Sequence, residues 1–224
     1  MSVGQGGRAG LVTWGEMSRA TQSGGRPRQG GYTSIIGSHG GDLEAAGDIL
    51  EETFCGPGCE HGLMFREAGT ADLWALTELE RESNQTALRH VFPPERFPFP
   101  DDDVLARWAL VLDEPGATVL VHDAPERDGH LDVLAAYDAR SLRHLAVHPD
   151  RWDSGLASWA VDTVLQAMAA RGTTEAELWC LELNHRARQR YEHLGWRPTT
   201  DRRPTPWPPH PTEMRYRRLV PRGH

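Results

Sequence analysis

Residues able to do chemistry fall in three short stretches. In VHPDRWDSGLA, a turn of small and polar residues from Trp152 to Ala157 opens a pattern of helical period. The first backbone N–H groups of such a helix have no internal partners and lie at the positive end of its dipole, so the turn could hold a phosphate through backbone alone. Gly155 and Ala157 leave room for that group, although the same pattern suits a plain helix start. In LELNHRARQRYEHLGW, Asn184, Ala187 and Tyr191 recur at three- and four-residue steps, on one side of a short helix that Asn184 can cap. A tyrosine there could move a proton or simply pack. In CGPGCEH, Cys55, Cys59 and His61 stand close together, but zinc usually wants a fourth ligand and tighter partner spacing, and a flexible linker explains the segment better. No metal site is assigned.

The elements that position these stretches can be read from period and punctuation. A β-compatible run, Leu142 to Val147, stops short of Pro149, and after the turn Leu156, Ala160, Val164 and Met168, with Leu165 beside them, form one face of an amphipathic helix ending near Gly172. A second β-like run, Glu177 to Leu183, leads into Asn184. Upstream, Leu63 to Arg66 reads as a short strand, and Thr70 is placed to cap a helix with the stripe Leu73, Leu76 and Leu79. A Pro- and Phe-rich loop leads to a second helix near Asp102 to Leu112, whose Asp101 to Asp103 form an acidic first turn. Thr118 to His122 and Leu131 to Tyr137 read as a hairpin across DAPERDG, and Glu213 to Leu219 closes the chain after a proline-rich loop around Trp207. Strands alternating with helices make the class α/β.

Taken in this order and at this separation, VHPDRWDSGLA and LELNHRARQRYEHLGW resemble the two most informative segments of the GNAT family of N-acetyltransferases. The resemblance extends over about residues 63 to 220. It implies the GNAT fold: a mixed, mostly antiparallel twisted sheet, splayed between strands four and five and flanked by helices. It implies acetyl-CoA as co-substrate, with backbone groups of Leu145 and Val147 on pantetheine and thioester, and the turn Trp152, Asp153, Ser154, Gly155, Leu156 and Ala157 on the pyrophosphate. Asn184 and Ala187 match pantetheine contacts, and Tyr191 matches the general acid for the leaving thiolate. The resemblance also suggests that the loop around Trp207 lies over the acceptor.

The proton acceptor is not assigned. Family bases on the fourth strand match Ser141 and Arg143, neither of them a natural base; His144 is directed by strand alternation to the other face and reads as structural, and Asp138 could act only through water. The turn also departs from the family pattern. Trp152 stands where Arg or Gln is usual, and Asp153 stands where glycine is common, which sets a carboxylate beside a pyrophosphate. Arg151 could offset it, or Asp153 could point outward and cap the helix.

The expected activity is transfer of acetyl from acetyl-CoA to a primary amine, directly and in a ternary complex; the alternative is a non-catalytic module of the same fold that binds CoA as a sensor. Sixteen of the 23 glycines precede residue 64, so residues 1–60 read as an extension with little to bury and residues 61–221 as the acetyltransferase domain, with Gly41 to Phe54 as a short helix in the extension. A net charge of −8 and the lack of an aromatic-laced basic patch argue against nucleic acid. No apolar run reaches the roughly 18 residues of a membrane span, and the expected setting is the cytoplasm. All 24 basic residues are arginine, so these residues offer no lysine for autoacetylation. The expected partner is a small-molecule amine or a peptide amine, and a homodimer is compatible with the sequence.

Overall fold

The computed structural model describes residues 64–221. The glycine-rich extension with its Gly41 to Phe54 helix, and Cys55, Cys59 and His61, lie outside the described residues. The order is β1 (Arg66–Glu67), α1 (Leu73–Ala87), α2 (Asp101–Asp113), β2 (Thr118–Asp123), β3 (Leu131–Tyr137), β4 (Leu142–Val147), α3 (Leu156–Ala170), β5 (Glu175–Leu181), α4 (His185–His193), β6 (Arg197–Pro204) and β7 (Thr212–Leu219).

Two antiparallel sheets form, β1-β2-β3-β4 and β5-β7-β6. Between β4 and β5 one parallel bridge, Ser141 to Glu177, touches before the strands part. This is the splay expected between strands four and five. β3, LDVLAAY, is buried at every position because helices cover both of its faces. Val133, Ala135 and Tyr137 pack with Ala160, Val161, Val164, Leu165 and Met168 of α3. Leu134 and Ala136 pack on the other side with Leu76 and Leu79 of α1 and Val104 and Trp108 of α2. Burying a side chain the size of Leu165 or Met168 contributes about 1.5–3 kcal/mol, so these two layers hold the sheet against the entropy of ordering it.

Local details differ from the sequence expectation at several elements; the first strand runs Arg66–Glu67, where the expectation ended it at Arg66, and β5 begins at Glu175 instead of Glu177. The first helix starts at Leu73; Thr70–Asp72 is a 3-10 turn, and the Asp72 carboxylate, rather than Thr70, accepts the Gly69 N–H at 2.8 Å. β5 ends at Leu181 because the chain turns there, the Asn184 N–H donating to the Leu181 carbonyl at 2.9 Å. β4 carries an extra residue: Ala136 faces His144 while the next residue, Tyr137, faces Leu142. That bulge at Arg143 places Leu142 in the α3 core, whereas simple alternation would put it on the same face as His144. Among the described residues no helix is long and apolar enough to cross a membrane.

Candidate active site

A cavity of about 380 Å³ opens where β4 leaves β5. Its walls come from β4 (His144 to Val147), the turn before α3, one side of α4 and the last turns of α1. The hydrogen-bonding pattern of β4 explains why this edge matters. The His148 N–H donates to the Asp132 carbonyl of the neighbouring strand at 2.8 Å, and in an antiparallel ladder this duty falls on every second residue. Ala146 therefore spends its backbone groups on β3, while Leu145 and Val147 turn theirs into the gap. The Val147 carbonyl accepts the Ser83 hydroxyl at 3.0 Å and the Trp152 indole N–H at 2.9 Å, which leaves the other edge groups for a ligand.

The turn is built by two left-handed residues, Asp153 at φ +64° and Gly155 at φ +91°. Such alternation points successive N–H groups to one side, and among the described residues the N–H groups of Asp153, Gly155 and Ala157 have no hydrogen-bond partner. Position 153 suits glycine for a conformational reason, and aspartate is one of the few other residues that tolerates it. Gly155, not Asp153, is the N-cap of α3, so the capping reading of Asp153 is wrong. Arg151 does not offset it either, being held 3.2 Å from Asp132. The Asp153 carboxylate instead joins Arg186 and Arg190 of α4, each at 2.9 Å, and these arginines hold its pKa below the ordinary carboxylate range, Arg186 most. The Arg186 guanidinium also lies over the Trp152 ring, 4.4 Å from its centre.

Of the predicted contacts, Leu145, Val147, Trp152, Asp153, Gly155, Ala157, Asn184, Ala187 and Tyr191 line the cavity together. Ser154 and Leu156 do not. The Ser154 hydroxyl donates back to the Arg151 carbonyl at 2.6 Å, and Leu156 is buried in the core under α3; each could offer backbone only. Asn184 caps α4, its Oδ1 accepting the Ala187 N–H at 3.2 Å, so its amide N–H groups are the ones available to a ligand. Tyr191 is wedged edge-on against Trp196 at 6.3 Å and tilted on Tyr216 at 6.2 Å. Burial pushes its hydroxyl well above the usual tyrosine range, so it stays protonated. Burial likewise pushes the neighbouring Cys180 thiol up to about 12.

Several wall residues carried no sequence expectation. Ser83, Asn84 and Ala87 arrive from α1 and Arg186 and Arg190 from α4, while His144, expected to face away, also lines the wall from β4. Only the arginines left a signal, one helical turn apart and opposite in charge to Asp153. No residue of the Trp207 loop or of the Pro- and Phe-rich loop before α2 lines the cavity. Asp138 is committed to its turn, accepting the N–H groups of Arg140 and Ser141 at 2.7 and 2.8 Å, and Arg143 pairs with Glu114 at 2.8 Å. Among the described residues no His, Cys, Asp and Glu cluster could hold a metal ion.

The sequence model of the Acetyltransferase (GNAT) family matches residues 73–196. The comparison with curated proteins returns no match. Among solved structures, the ribosomal-protein-S18-alanine N-acetyltransferase from Escherichia coli is similar at 17% identity and TM-score 0.54, over 73% of this chain and 97% of that one. The paia N-acetyltransferase from Thermoplasma acidophilum, solved with coenzyme A, is similar at 16% identity and TM-score 0.53, over 69% and 98%. The yncA protein from Salmonella typhimurium, solved with acetyl-CoA, is similar at 17% identity and TM-score 0.52, over 73% and 97%.

Proposed function

The chain belongs to the GNAT family of acetyltransferases, and from that premise we propose that it moves an acetyl group from acetyl-CoA to a primary amine by direct transfer in a ternary complex. One observation carries the reading: the edge of β4 that β5 leaves open at Leu145 and Val147, the turn with its unpartnered N–H groups and Tyr191 all line one cavity. The two similar structures that hold coenzyme A and acetyl-CoA support the choice of co-substrate.

When bound, acetyl-CoA supplies an activated acetyl group as its thioester. The backbone of Leu145 and Val147 would hold the pantetheine arm in extended form, as an added strand, and position the thioester carbonyl. The N–H groups of Asp153, Gly155 and Ala157 and the dipole of α3 would hold the pyrophosphate. Tyr191 would give its proton to the departing sulfur. The acceptor, a small-molecule or peptide amine, would enter beside Ser83, Asn84 and Ala87 of α1.

The test is release of free thiol from acetyl-CoA across aminoglycosides, amino acids, polyamines and peptide N-termini, alongside thermal melting with acetyl-CoA alone. A ligand that binds only the folded chain adds about 2.7 kcal/mol at a hundredfold excess over Kd. A melting shift with thiol release from one amine class supports the proposal. A shift without turnover would favour the sensor reading, and no shift at millimolar ligand would remove acetyl-CoA altogether.

A further inference from the structure

An amine that attacks an acyl carbon releases a proton, and no group assigned so far receives it. His144 stands at the place where one is needed. Strand alternation gives it the β4 face turned to α1 and α2, opposite Leu145, yet it remains part of the cavity wall, with its side chain 26% exposed. Beneath it lies Glu80, only 2% exposed, whose Oε2 accepts the Trp108 indole N–H at 2.9 Å and is joined by the Arg107 guanidinium. The His144 ring meets Trp108 edge-on at 5.4 Å, and its Nε2 lies 3.6 Å from Glu80 Oε2.

We propose that His144 accepts the proton of the acceptor amine and that Glu80 is the positioning residue that holds its ring. The proposal rests on the acetyl-transfer reading above. The rings of His90, His210 and His148 are committed to hydrogen bonds, to the Leu183 carbonyl at 2.9 Å, the Thr205 carbonyl at 2.9 Å and Arg127 at 3.0 Å. His122, whose Nδ1 has no hydrogen-bond partner among the described residues, is buried away from the cavity, so His144 is set apart from these four by lining it. His144 has Glu80 beyond hydrogen-bond range, close enough to orient the ring and to shorten once it is protonated. The charged groups facing it are Glu80 from α1 and Arg107 from α2; Arg143, on its own strand, is tied to Glu114. Burial is the largest influence and lowers the pKa, Glu80 raises it and Arg107 lowers it, so the ring is neutral near pH 7 and has a lone pair to offer.

The balance closes with Tyr191, which packs against the opposite core layer. The amine N–H bond breaks and its proton passes to the imidazole; the new C–N bond forms as the C–S bond breaks, and the sulfur takes the Tyr191 proton. Solvent then returns one proton from imidazolium to tyrosinate. Acid and base thus act from two sides of one cavity, on the two ends of the bond exchange.

The experiment uses the full chain, acetyl-CoA and the fastest amine of the panel above. His144→Gln is expected to lower kcat by about a hundredfold or more and to abolish the ascending acidic limb of the kcat–pH profile, with acetyl-CoA Kd within threefold and melting little changed. Glu80→Gln is expected to shift that limb to lower pH, because it removes the charge that raises the His144 pKa, and also to lower kcat on the plateau, where His144 is neutral in both proteins; a glutamate that acts through its charge alone would move the limb and leave the plateau. In the unliganded wild type, NMR of the His144 ring should show a neutral imidazole at pH 7. Near wild-type kcat in His144→Gln, an unmoved limb in Glu80→Gln, or a ring still protonated above pH 7 would each overturn the proposal. A wild type that binds acetyl-CoA but acetylates no amine refutes the reading beneath it, and that failure shows in the wild type, not only in the variants.

Discussion

Replacing Asp153 with glycine tests what governs the turn proposed to hold the pyrophosphate. The carboxylate engages Arg186 and Arg190, each at 2.9 Å, at side chains that are 70%, 48% and 31% exposed. Because those arginines lower its pKa, the carboxylate is fully ionised at neutral pH, and an arriving phosphate must compete with it for both guanidinium groups. Exposed ion pairs are each worth a factor of about 1.5 to 5 in an equilibrium constant, so removing the competitor should tighten acetyl-CoA binding about three- to tenfold. Backbone strain works the same way, since glycine adopts φ +64° without cost while aspartate does not. Loss of the two pairs offsets that relief, and the melting temperature should stay within about 2 °C. The assay is calorimetric Kd at two salt levels. Raising ionic strength from about 0.02 to 0.5 M shortens the Debye length from about 20 to 4 Å, and the gain should shrink accordingly. Weaker binding in Asp153→Gly would refute the argument and show that the carboxylate holds the arginines where the phosphate needs them.

Tyr191→Phe should lower kcat by about a hundredfold while acetyl-CoA Kd stays within a few-fold, because only the departing sulfur needs the hydroxyl; unchanged turnover in stopped-flow thiol release would leave Tyr191 a packing residue. Gly155→Ala should cost about 1–2 kcal/mol of stability through its positive φ alone, since a Cβ there meets nothing within 4 Å. A melting temperature equal to the wild type would show that the turn relaxes. Ser83→Ala should lose about 0.5–1.5 kcal/mol in denaturant unfolding and no more, because the Val147 carbonyl keeps the Trp152 indole N–H. A larger loss would mean that the link from α1 to β4 supports the splay itself.

What could be read in advance follows the range of the interactions involved. α3 declared itself through Leu156, Ala160, Val164 and Met168, a period its own backbone imposes, and Asn184 through a cap that spans three residues. The misfit at 153 was visible as a charge, but its cause is a left-handed φ that composition cannot show, and its remedy lies 33 and 37 residues away on α4. Ser83 reaches Val147 across 64 residues, and nothing in either neighbourhood announces the other. His144 is the sharpest case. Alternation put it on the face away from Leu145, which is correct, yet His144 still lines the cavity, because the cavity wraps the free edge of β4 and draws on both faces at once. A period tells which face a side chain takes, but whether that face is sealed depends on the parting of β4 and β5 and on where α1 ends. The proposed general acid, Tyr191, sits on a local motif and could be named from sequence. The proposed base depends on the parting of β4 from β5 and on a helix end and a buried glutamate that α1 brings from a distant segment, and only the folded chain brings those together.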